Sequence, residues 1–185
     1  MSPEKELDFF IEEKNWNRGI EWYKSHFVGE AKIYGESSPK YTNYPFFKGV
    51  PQRMFSVIPE TKLIYIVRNP IERIISHYTH YYSDGRENRS IEEALFKLDN
   101  NFYVTRSQYF LQLEQYLEFF SNSNILIITS EELSNTPQIT MKKIFQYLEV
   151  ETNLEFKFNL KSIAEVLRFG RSITYSSFKF DKNLH

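Results

Sequence analysis

The chain has 185 residues, with 23 basic and 24 acidic side chains and a formal net charge of −1. That balance excludes a broadly basic nucleic-acid surface, so any anion site must be local. With no cysteine, disulfides and thiolate chemistry are excluded, while 41% hydrophobic and 17% aromatic residues suit one folded domain with an aromatic core or aromatic-lined cleft. No apolar run is long enough to span a bilayer, and the acidic N-terminus does not resemble a signal peptide, so a soluble cytoplasmic protein with no membrane partner is expected.

In chain order, Met1 to Phe10 reads as an extended lead-in, and Asn15 to Phe27 as an amphipathic helix carrying Trp16, Ile20, Trp22, Tyr23 and Phe27. Ala31 to Glu36 predicts a short strand that stops at Ser37-Ser38-Pro39, and Pro51 to Ile58 a short helix that Pro59 ends. Leu63 to Val67 is an unbroken, β-branched-rich run, expected of a strand covered on both faces. It stops at Arg68, after which Asn69-Pro70 supplies an N-cap and a proline at the first helical position. Ile71, Ile74, Ile75 and Tyr78 then mark one face of a helix. Ser90-Ile-Glu-Glu93 is a capping box opening a helix to Leu98, and Tyr103 to Phe120 continues at helical spacing. Ile125 to Thr129 is a third strand, followed by a helix ending near Val150. Strands alternating with helices predict a parallel α/β sheet, although three strands are few for one. The tail from 159 to 185 is weakly patterned.

A strand that ends on arginine and turns at once into a helix sets a fixed cation beside backbone N–H groups, which favours an anion such as phosphate. Ser76 on that helix can add a hydroxyl donor. On spacing alone, Arg68 and Ser76 fit equally well a phosphate clamp and a structural pair. Arg73 reads as a partner in a structural ion pair. His77 and His80 lie three apart with no third ligand at a sensible spacing, so no metal site is expected.

The run Arg68-Asn-Pro-x-x-Arg-x-x-Ser76-x-Tyr78 after a strand resembles the 3′-phosphate motif of sulfotransferases that use 3′-phosphoadenosine 5′-phosphosulfate (PAPS), nearest to the heparan-sulfate-type domain and its bacterial relatives. Three further segments match in order. Lys5-Glu6-Leu7-Asp8-Phe9-Phe10 resembles the family's Lys-Glu-x-His-Phe-Phe element, Gly35-Glu36-Ser37-Ser38-Pro39 its strand end, and Ile125 to Leu133 its Tyr-Glu-Asp-Leu strand. The resemblance covers roughly residues 2–150 of a single domain spanning 1–185. It implies an α/β, P-loop-NTPase-like three-layer sandwich with PAPS, or its product adenosine 3′,5′-bisphosphate, held by Arg68 and Ser76. It also implies Glu6 as general base, Lys5 beside the sulfuryl oxygens, and Ser37, Ser38 and Tyr109 at a carbohydrate or small-molecule acceptor. Asp8 stands where the heparan-sulfate enzymes often have histidine, so their acceptor specificity is not carried over. Arg168 to Arg171 faintly resembles the family's basic glycine loop.

The family's first strand and its Lys-x-Gly-Thr-Thr loop, which holds the phosphosulfate, have no counterpart in these residues. That strand would sit inside the sheet. The expectations are therefore an N-terminally truncated fold, weak or absent transfer activity, and self-association through an incomplete sheet. A non-catalytic nucleotide-binding or assembly module on the same fold is the alternative. Lack of cysteine and of a membrane anchor points to a bacterial protein.

Overall fold

The computed structural model describes residues 6–31, 33–150 and 175–178, the last four as backbone. Four strands form one sheet: β1 (Tyr34–Glu36), β2 (Lys62–Val67), β3 (Ile125–Thr129) and β4 (Tyr175–Phe178), in the order β1-β4-β2-β3. β2 and β3 are parallel, Leu63 pairing with Ile125 and Val67 with Thr129. β4 runs antiparallel to both neighbours, so β1, β2 and β3 all point the same way.

The fourth strand comes from the weakly patterned tail. It occupies the lane inside the sheet that the three-strand count leaves open, in register with Lys62–Ile64 on one side and Tyr34–Glu36 on the other. The helices are α1 (Gly19–Lys24), α2 (Val50–Val57), α3 (Pro70–Ser83), α4 (Ile91–Ala94), α5 (Phe102–Thr105), α6 (Tyr109–Leu117), α7 (Ser130–Asn135) and α8 (Pro137–Leu148).

β2 is the middle layer, and its alternation separates two cores. Leu63 packs with Leu7, Phe9, Phe10, Tyr23, Met54, Tyr116 and Phe120, and Tyr65 meets Tyr109 of α6 edge-on. Ile64 and Ile66 face the other way, onto Ile128, Leu133 and Ile144 of β3, α7 and α8. A strand buried on both faces is what its continuous apolar run requires. The result is an α/β sandwich with helices on both sides of the sheet.

Several local expectations are corrected. The described part of the lead-in, residues 6–10, is not extended: Glu6 and Asp8 have φ of 57° and 48°, and Leu7, Phe9 and Phe10 are core residues. The aromatic ladder of Phe9 stacked on Tyr23 at 4.5 Å drives this insertion. The helix expected from Asn15 to Phe27 begins as a 3₁₀ turn over Trp16–Arg18 and resets at Gly19, whose φ of 78° suits glycine. The Ser90 capping box forms, but α4 stops after four residues, because the Asn101 amide donates to the carbonyls of Ala94 and Lys97 at 2.7 and 2.9 Å. The helix expected from Tyr103 to Phe120 is broken at Arg106–Gln108 into α5 and α6. On α3 the apolar stripe is not a core face, since Ile71 and Ile75 are exposed.

Candidate functional site

Because β1, β2 and β3 are co-directional, their carboxyl ends share one edge of the sheet, the position where open α/β sheets bind ligands. The β4 lane separates the ends of β1 and β2 by about 10 Å, twice the ordinary interstrand spacing. Two polar clusters face that edge.

The first lies at the end of β1. Glu36 is 2% exposed and has no cation among its hydrogen-bond partners. Its carboxylate accepts from the hydroxyls of Tyr41 at 2.8 Å, Tyr23 at 3.1 Å and Ser38 at 3.1 Å. Burial pushes its pKa up to about 7, against those three hydrogen bonds. Ser38, fully buried, also accepts the Asp8 N–H at 3.0 Å, which ties the N-terminal segment to the strand end. Lys40 Nζ lies 2.6 Å from Asp8 Oδ2 and 3.2 Å from Glu6 Oε2, so one ammonium joins two carboxylates that come from a strained backbone. Burial raises the Asp8 pKa, and the Lys40 hydrogen bond and charge oppose it. For Lys40 burial pulls downward, but Asp8 and then Glu6 outweigh it and leave the pKa raised. Glu6 keeps 29% of its side chain exposed, enough for a substrate proton to reach it.

The second cluster begins at Arg68, just past β2. Asn69 caps α3, its side chain accepting from the N–H groups of Ile71 and Glu72 at 3.0 and 3.3 Å. The Asn69 N–H goes to Glu131 at 3.3 Å. The backbone donors expected to greet an anion are thus already used, and the anion-binding capacity is carried by side chains. Arg68 donates from Nη2 to the Glu72 carbonyl at 3.0 Å, and its backbone N–H points to the Tyr109 hydroxyl at 3.4 Å. Its buried Nε–H has no partner among the described residues. Ser76 sits half-buried two turns into α3. A spare arginine donor suits a phosphate, an acceptor-only group.

Further along α3, Arg73 donates to Ser107 Oγ at 3.2 Å and has no ion-pair partner among the described residues, so the structural pair expected for it is absent. Arg106 donates to Asn43 Oδ1 at 2.5 Å and to His77 Nε2 at 3.3 Å. Burial, with the charges of Arg106 and Arg73, holds the His77 pKa far below its usual value, so the ring is neutral.

Of the residues singled out from sequence, Glu6 and Ser38 meet at the β1 end, while Arg68 and Tyr109 meet at the β2 end, with Ser76 farther along α3. Ser37 is half-buried next to Ser38. Lys5 and Arg168 to Arg171 lie outside the described residues. Lys40 escaped sequence reasoning, though its place just after Ser38-Pro39 was a usable signal.

Known proteins resemble this chain in sequence and in fold. The family described as Sulfotransferase domain matches residues 2–183. Bifunctional heparan sulfate N-deacetylase/N-sulfotransferase 4 of Mus musculus is 27% identical over 173 residues, covering 82% of this chain and 19% of that protein. Heparan sulfate glucosamine 3-O-sulfotransferase 5 of Homo sapiens is 26% identical over 173 residues, covering 86% and 49%. The crystal structure of a sulfotransferase from Alicyclobacillus acidocaldarius superposes with a TM-score of 0.70 at 26% identity, over 90% of this chain and 78% of that one. The chain spans about half of one curated relative and a fifth of the other.

Proposed function

The chain belongs to the sulfotransferase domain family, and from that premise we propose that it binds PAPS at the β2 end and serves transfer of the sulfuryl group to a hydroxyl or amine. The acceptor is a carbohydrate or small molecule. The observation that carries this reading is the Arg68–Ser76 pair with a buried, unspent guanidinium N–H, on the same sheet edge as Glu6. PAPS, when bound, supplies an activated sulfuryl group. Arg68 and Ser76 hold the 3′-phosphate by charge-assisted hydrogen bonds. Glu6 takes the proton from the attacking oxygen or nitrogen as its bond to sulfur forms and the bond from sulfur to the 5′-phosphate oxygen breaks, releasing adenosine 3′,5′-bisphosphate. Lys40 keeps Glu6 oriented.

A second reading, in which the chain is a non-catalytic nucleotide-binding module on the same fold, shares the donor site and differs only in transfer. The self-association expected through an incomplete sheet loses its basis, because β4 fills the inner lane.

Calorimetry with adenosine 3′,5′-bisphosphate tests the donor site. Arg68→Ala should weaken binding 10- to 100-fold, the value of one charge-assisted contact set. Equal binding by parent and variant, or none by the parent, removes Arg68 from this role. A transfer assay from PAPS then separates enzyme from binding module.

A further inference from the structure

The edge beside β2 holds more positive charge than the donor clamp uses. Arg73, His77 and Arg106 come from α3 and from the break between α5 and α6, and they are already joined through Arg106 and His77. Since a guanidinium only donates, His77 Nε2 is the acceptor and the ring proton resides on Nδ1. That Nδ1–H is buried without a partner among the described residues, and so is the Nε–H of Arg73. Neither arginine has a carboxylate partner among the described residues. Both are half-buried, Arg106 stacked over the Phe102 ring at 4.4 Å. Each unsatisfied group is a donor, and each uncompensated charge is positive. Only a group that accepts hydrogen bonds and carries negative charge corrects both deficits.

We propose that Arg73, His77 and Arg106 form a second oxyanion subsite, next to the Arg68–Ser76 clamp, which holds an acidic group carried by the acceptor. The anion binding stands on the cluster alone; its assignment to the acceptor rests on the sulfotransferase reading. Two contacts direct it to the acceptor side. Asn43, which receives the Arg106 N–H, follows the same 3₁₀ turn, Pro39–Thr42, that carries Lys40 of the base cluster. Phe46, exposed, meets Phe102 edge-on at 5.5 Å and gives an apolar wall next to the guanidinium. A planar guanidinium beside such a wall suits a carboxylated or sulfated ring.

The test is calorimetric titration of inorganic sulfate into the full chain saturated with adenosine 3′,5′-bisphosphate. One further sulfate site is expected. Arg106→Gln should weaken it at least tenfold and Arg106→Lys less. Thermal unfolding of each variant establishes that it is folded, and Arg106→Lys keeps the comparison usable if the glutamine variant is not. Glucuronate should displace the sulfate while glucose does not, which identifies an acidic group on a carbohydrate rather than a free inorganic ion. Sulfate that binds only in competition with the nucleotide, or equally well to all Arg106 variants, overturns the subsite. Failure of glucuronate to displace sulfate overturns the assignment to the acceptor. Nucleotide binding to the parent reports on the donor clamp independently, so loss of one reading is distinguishable from loss of the other.

Discussion

The end of β1 and the flank of α3 are both crowded with charge, yet they are balanced in opposite ways. At β1, Glu36 is satisfied by three hydroxyls, and Lys40 serves both Glu6 and Asp8. At α3, Arg73 and Arg106 have serine, asparagine and histidine as partners, and N–H groups are left over. A cluster whose charges are paired holds the fold and poises its members, here with Asp8 Oδ1 as one acceptor left over among the described residues. A cluster short of acceptors describes the ligand it lacks.

The largest expected effect tests the closure at β1. The folded-state pKa of Glu36, about 7, lies above its ordinary 4.5 because burial disfavours the charge. The folded chain therefore binds this proton more tightly. The contribution is fully present below the unfolded value and is lost as pH rises through about 7, for a total of about 3 kcal/mol. Urea unfolding should show lower stability at pH 8 than at pH 5, and Glu36→Gln should flatten the slope. A variant with the parent's pH slope would mean that Asp8 or another group is responsible.

A smaller effect probes the single cation. Lys40→Met leaves Glu6 and Asp8 without their shared ammonium and should cost about 1–2 kcal/mol at pH 7, its partial exposure considered. The loss should shrink as the pH is lowered and the Asp8 carboxyl, whose pKa burial raises, takes up its proton. Persistence of the full loss at low pH would assign it to packing instead.

The smallest addresses the side of α3. Asn69→Ala removes the cap from Ile71 and Glu72 and should lower stability by about 1 kcal/mol. If side chains alone hold the anion, affinity for adenosine 3′,5′-bisphosphate changes less than threefold. A marked gain in affinity would show that the freed helix N–H groups belong to the site.

Much of this was legible in the sequence because it is local. β2, β3 and the start of α3 follow from a continuous apolar run, an N-cap and a proline, all within a few residues. The capping box at Ser90 closes over three residues, and it forms. Arg68 and Ser76 were singled out for the same reason. By contrast, the break at Arg106 depends on Asn43, 63 positions away, and the early end of α4 on Asn101. Periodicity carries no signal for either. Arg73 was read as half of an ion pair because cations usually find carboxylates; the fold brings it serine instead.

By itself the sequence determined β2 and β3, the family and the arginine that ends β2, since each is written in neighbouring residues. Only the tertiary structure decided that β4 fills the lane between β1 and β2, that Lys40 joins Glu6 to Asp8, and that Arg73, His77 and Arg106 converge. These depend on contacts between segments remote along the chain, where burial and the need to satisfy each polar group choose the partner.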